Sequence, residues 1–143
     1  MPAQDCSLCH DVGGAPVYRN SLLRAVIVDD ADLPGFVRVI VNEHVKEMTD
    51  LDVAARLELL RVVFAAEEAI RETFKPLKVN LASLGNVVPH VHWHVIARFA
   101  DDAFYPQSIW GVRQRDTPSE FLAQRRAMLP MLRERLLGKL GGA

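Results

Sequence analysis

Three of the chain's five histidines lie within five residues, His90-Val91-His92-Trp93-His94. Alternation of that kind is what an extended strand with two unlike faces requires, because successive side chains of a strand point to opposite sides. The three imidazoles then share one face, and Val91, Trp93 and Val95 share the other. The second face reads as core. A row of imidazoles is costly to bury without partners, so the first face is expected to do chemistry.

One metal ion held by all three imidazoles is disfavoured by strand geometry. Alternate Cα atoms on a strand are about 6.6 Å apart, and the outer pair about twice that, so three rings on a straight strand do not converge on one ion. Separate tasks along an extended substrate fit better. A neutral imidazole is a nucleophile needing only orientation, which a carbonyl on its other ring nitrogen provides. A second imidazole can bind or protonate a phosphate oxygen, and phosphoryl chemistry relies mainly on positioning and charge stabilisation.

The surrounding pattern is mixed. Residues 1–20 read as loop, with Gly13, Gly14 and Pro16 and a short extended Val17-Tyr18. Leu22–Val28 and Phe36–Val41 read as strands separated by the turn-rich Asp29-Asp30-Ala31-Asp32-Leu33-Pro34-Gly35. A long helix is expected from a capping-box-like Thr49-Asp50-Leu51-Asp52 to the stop at Pro76. Its two apolar stripes, Val53/Leu57/Leu60/Phe64 and Leu59/Val63/Ala66/Ile70/Phe74, predict one wide buried face. Lys78–Ala82 and Val91–Phe99 supply two more strands. Thr117-Pro118-Ser119-Glu120 starts a C-terminal helix over 117–138, with Pro118 at its first position and a kink at Pro130. The prediction is a single α+β domain over 1–143, an antiparallel sheet with one long helix between strands.

Half the residues are hydrophobic, and formal net charge is −1 across 143 residues. No basic excess points to a nucleic-acid partner, and no apolar run reaches the length of a membrane span. The opening Met-Pro-Ala-Gln-Asp-Cys-Ser lacks the features of a secretory signal, so a cytoplasmic location is expected. In a reducing compartment Cys6 and Cys9 are not expected to form a disulfide. Cys6-Ser7-Leu8-Cys9-His10 matches the c-type haem attachment pattern, which would need export, and equally supplies half of a tetrahedral zinc site that two imidazoles would complete. Arg71, Arg98 and the charged 125–126 and 133–135 runs read as solvated surface, and the acidic turn at Asp29, Asp30 and Asp32 as a possible cation site.

His90-Val91-His92-Trp93-His94-Val95-Ile96 resembles the histidine-triad signature at all seven places. The resemblance covers about residues 6 to 99 and includes Pro34–His44 and Asn80–Asn86. It implies the fold of that family and a nucleotide hydrolase acting at an α-phosphate. The substrate class is a dinucleoside polyphosphate such as diadenosine tetraphosphate, or a nucleoside phosphoramidate. By the same resemblance His92 is the nucleophile that forms a nucleotidyl-histidine, and His94 contacts the phosphate oxygens. Asn86 and Asn80 serve the phosphate pocket, Asp29 or Asp30 meets the ribose, and Trp110 matches a C-terminal aromatic of some members. Similarity to zinc-bearing members points to a structural Zn2+ on Cys6, Cys9, His44 and His90, with His10 as competing ligand and no organic cofactor. A homodimer is implied as well. The alternatives are a nucleotidyltransferase using a phosphorylated acceptor, and a nucleotide-binding protein with little turnover. The latter arises because Phe36 stands where many members carry a histidine.

Overall fold

The computed structural model describes residues 2–141. A helical turn, α1 (Ser7–His10), precedes three strands: β1 (Ala15–Arg19), β2 (Leu23–Ile27) and β3 (Phe36–Val41). Then come a 3-10 turn at Met48–Asp50, the long α2 (Val53–Phe74), β4 (Lys78–Ala82), β5 (His92–Arg98), α3 (Ser119–Ala127) and α4 (Leu129–Leu140). The five strands form one sheet in the order β1-β2-β3-β5-β4, and all neighbours are antiparallel. The expected α+β architecture is therefore present. Among the described residues no helix is long and apolar enough to cross a membrane.

Each strand carries two programmes. Leu23, Ala25, Val37, Val39, Val41, Val95 and Ala97 face α2 and α4 and make one core with Leu59, Val62, Val63, Ala66, Ile70, Leu132 and Leu136. Trp93 packs against this core from the side opposite the imidazoles, as its place in the alternation predicts. The other face is not uniformly apolar. One small cluster joins Cys6, Leu8, Val26 and Ile40, and another joins Leu33, Phe36 and Ile96. Along β3 the intervening residue between Phe36 and Ile40 on this face is Arg38.

Several local expectations differ from the structure. Thr49 does not cap α2: Leu51 is extended (φ −83°, ψ 147°), and the Asp52 carboxylate accepts from Ala55 N at 2.8 Å. The segment before it closes on itself, with Asp50 accepting from Glu47 N. Only one of the two apolar stripes of α2 is buried. Val53, Leu57 and Phe64 are 64%, 65% and 49% exposed, because the sheet and α4 meet the helix over the Leu59/Val63/Ile70 side. The C-terminal helix is two helices with a junction at Met128, and Pro130 lies in the first turn of α4, where its missing N–H does no harm. Thr117 does not cap α3; its hydroxyl donates to the Asp101 carbonyl instead (2.7 Å). Pro118 precedes the first helical residue, Ser119. Within 1–20, read as loop apart from a short extended Val17-Tyr18, the chain forms α1, and Val17-Tyr18 lie within the longer β1.

Candidate active site and metal centre

The first histidine of the row lies just before β5, fully buried. His90 Nε2–H donates to the Val41 carbonyl at 2.5 Å. That bond fixes the tautomer and leaves Nδ1 with a free lone pair, which is 3.4 Å from Cys6 Sγ and 3.5 Å from Cys9 Sγ. His44 follows the end of β3 and brings its own Nδ1 to 3.3 Å from Cys9 Sγ. The four donor atoms all lie within 4.8 Å of one another. A tetrahedral zinc with Zn–S of ~2.3 Å and Zn–N of ~2.0 Å sets S···N separations near ~3.5 Å. The donor set and its spacing therefore fit such an ion, and the Val41 carbonyl is the outer partner that metal-binding imidazoles commonly have. His10 is turned elsewhere, with Nε2 on the Ala3 carbonyl at 2.9 Å.

Arg24 holds this corner together. It is 4% exposed and donates to the carbonyls of Leu8, Asp11 and Val12 at 2.7–3.0 Å and to Asn42 Oδ1 at 3.3 Å. One guanidinium on β2 thus ties α1 and the turn after it to the sheet.

The middle histidine, His92, is buried and donates from Nδ1–H to the His90 carbonyl at 2.5 Å. The proton is thereby fixed on Nδ1, and Nε2 is the unprotonated nitrogen. Burial lowers the pKa of His92, which keeps the ring neutral. His94 stands edge-on to it, with centroids 4.9 Å apart. Its pKa is lowered to about 4, mainly by burial, then by His92 and Arg38. His94 Nδ1 is buried without a hydrogen-bond partner. Phe36, 4% exposed, packs edge-on against His94 at 5.6 Å, so an apolar ring occupies this flank.

His92 and His94 open onto a cleft of about 430 Å³ together with Arg38, Asn86 and Trp110. The β4–β5 loop gives one wall, including Asn86. The Trp110 ring, 4.9 Å from His94, closes another. Its loop is fastened by a buried ion pair. Arg98 donates to Asp102 at 2.9 and 3.1 Å and to the Gln107 carbonyl at 2.7 Å. Asp102 also accepts from the amides of Phe99, Phe104 and Tyr105. Arg98 is thus 2% exposed, in contrast to the solvated reading of its sequence position.

The other candidates fall around this cleft. Asn80 is on the same sheet face, but its Oδ1 accepts from Arg98 Nη1 at 2.7 Å, and it does not line the cleft. Asp29 and Asp30 lie in the β2–β3 turn, outside the lining residues. Asp30 accepts from Asp32 N at 2.9 Å, and Asp32 pairs with Arg113 at 3.0 Å. Sequence reasoning passed over Arg24 and Arg38. Their signal is present as an arginine at an alternating position inside an otherwise apolar strand, Leu-Arg-Ala-Val-Ile and Phe-Val-Arg-Val-Ile-Val.

The model of the HIT domain family matches residues 13–101, more than half of the chain. The chain belongs to the HIT domain family. A histidine triad protein from Bradyrhizobium japonicum has a solved structure that superposes with a TM-score of 0.71 at 28% identity, covering 87% of this chain and 92% of that one. A Schizosaccharomyces pombe relative, named bis(5'-nucleosyl)-tetraphosphatase (asymmetrical), is 31% identical over 103 residues, 68% of this chain and 57% of that protein. A Mycobacterium tuberculosis relative, named AP-4-A phosphorylase, is 26% identical over 117 residues, 78% of this chain and 60% of that protein. The chain thus spans less than two thirds of either curated relative.

Proposed function

We propose that this protein is a nucleotide hydrolase that cleaves at the α-phosphate of a dinucleoside polyphosphate or nucleoside phosphoramidate. The observation that carries the reading is the Nδ1–H bond of His92 to the His90 carbonyl. It leaves a neutral nitrogen, Nε2, as the nucleophile beside His94 in a cleft of nucleotide size. Nε2 attacks phosphorus, and the bond from phosphorus to the leaving group breaks with its electron pair going to the leaving group. Water then attacks the nucleotidyl-imidazole, the P–N bond breaks, and the nucleoside monophosphate leaves as His92 is regenerated. The names of the S. pombe and M. tuberculosis relatives support the substrate class.

His94 and Asn86 hold the phosphate oxygens in this scheme. Asn80 acts from behind, through Arg98 and the loop that carries Trp110. Asp29, which has no hydrogen bond among the described residues, is the freer of the two turn aspartates for ribose hydroxyls; Asp30 is engaged with Asp32 N. Zinc is the ion that Cys6, Cys9, His44 and His90 would hold, and with four protein ligands it would supply structure rather than a reactive water.

Trapping tests the scheme. Incubation with diadenosine tetraphosphate and a quench that preserves phosphorus–nitrogen bonds should leave an adenylyl mass on the peptide bearing His92. His92→Ala should reduce turnover at least about a thousandfold. Equal residual rates for variant and wild type would leave only a nucleotide-binding role, and an adduct on His94 would reverse the two roles. The M. tuberculosis name favours a second reading, transfer to a phosphate acceptor. Product analysis with and without inorganic phosphate separates it from hydrolysis.

A further inference from the structure

Arg38 is the one arginine among the described residues with a buried side-chain nitrogen that has no partner. Arg61, Arg98, Arg113 and Arg125 each meet a carboxylate within 3.0 Å. Arg24, also buried, has four oxygen acceptors. Arg38 has one hydrogen bond, from Nη1 to the Gly13 carbonyl at 3.0 Å. Its Nε is buried with no partner, and among the described residues it pairs with no carboxylate. A half-buried cation left in this state is unfavourable for the fold alone.

Its place explains why such a group would be kept. Arg38 is directly across the β3–β5 ladder from His94. Among the described residues lining the cleft it is the one lysine or arginine, and no aspartate or glutamate lines it. His94 brings no positive charge at neutral pH, since its pKa lies at about 4. A phosphate placed between His92, His94 and Asn86 would meet no cationic side chain among the described lining residues other than Arg38. We propose that Arg38 is the anion-binding residue of this site, donating to a phosphate group of the nucleotide held beside His94. The inference rests on the nucleotide reading given above and adds to it the source of positive charge.

The experiment compares adenosine 5′-monophosphate with adenosine by calorimetry, on wild type, Arg38→Met and Arg38→Lys. Wild type should bind the monophosphate more tightly than the nucleoside. Arg38→Met should weaken monophosphate binding at least about tenfold, as expected for a charge-assisted hydrogen bond, and leave adenosine binding within about twofold. Arg38→Lys should fall between. Thermal melting guards against misfolding: the free Arg38→Met protein should melt within a few degrees of wild type, because the half-buried guanidinium that is removed has only the Gly13 carbonyl and the Phe36 ring as partners. Equal loss for both ligands would place Arg38 against base or sugar and overturn the proposal, as would a drop in stability that accounts for the lost binding. Unchanged monophosphate affinity in Arg38→Met would overturn this inference and leave the nucleotide reading standing. A wild type that binds neither ligand would overturn both.

Discussion

His94 shows how far a single residue is governed by its neighbours. Burial, with Phe36 and Trp110 against the ring, is the main cause of its lowered pKa, and His92 and the cross-strand Arg38 add to it, so the imidazole stays neutral to about pH 4. The unfolded chain protonates the same residue near pH 6.5. Between those values the unfolded state binds more protons, so stability rises with pH and is lost as pH falls from about 6.5 toward 4. Between pH 7 and pH 4.5, wild type should lose about 2–3 kcal/mol more unfolding free energy than His94→Gln. Urea titrations at the two pH values measure this, and parallel losses would show that His94 is charged in the folded protein. At this scale the sequence was most legible where pattern and chemistry coincide. The shared face of the imidazole row and the half-site of the two cysteines follow from short-range spacing, whereas His44 and His90 were joined to the cysteines through the family resemblance, since they lie 35 to 84 residues from them in sequence. Arg38 was not legible in either way, because its lack of a counter-charge depends on which residues the fold leaves out of its surroundings.

Elements were legible as types more than as surfaces. All the strands after residue 20 and the long helix fall near the expected segments, since their signals are local periodicities. The exposed stripe of α2 was not legible, because periodicity reports that a face is apolar and cannot report what covers it. Val53, Leu57 and Phe64 lie open on the isolated chain, and β4 is an edge strand. Exposed apolar helix faces and bare edges commonly mark contacts between chains. We propose that they form the interface of the homodimer that the family resemblance implies. Light scattering should give a dimer mass for wild type at micromolar concentration, and Leu57→Lys should shift it toward the monomer. A monomeric wild type would remove the proposal. The caps were misread for a different reason. Thr49 and Thr117 satisfy the residue preferences of a cap, but Asp52 sits closer to the start of α2, and Asp101 offers Thr117 a carbonyl from a distant loop.

For the whole molecule, the sheet is a partition. One side is a continuous core against α2 and α4; the other carries the Cys6/Cys9/His44/His90 group and the cleft. Metal analysis of untagged protein should give about one zinc per chain, the stoichiometry of a four-ligand site. Chelation or Cys9→Ser should lower Tm by more than about 5 °C, because binding energy at such a site is folding energy. Protein purified without metal and equally stable would remove the zinc assignment. His90 bears on both the group and the cleft. Its side chain turns Nδ1 to the cysteines, while its backbone carbonyl accepts the hydrogen bond from His92 Nδ1–H. The ring that faces the cysteines and the carbonyl that orients His92 therefore belong to one residue, and a single hydrogen bond joins that carbonyl to the His92 ring. A loosened anchor would turn the His92 ring even in a molecule that remains folded, so the tolerance to which this chain must be built is set at the cysteine–histidine corner.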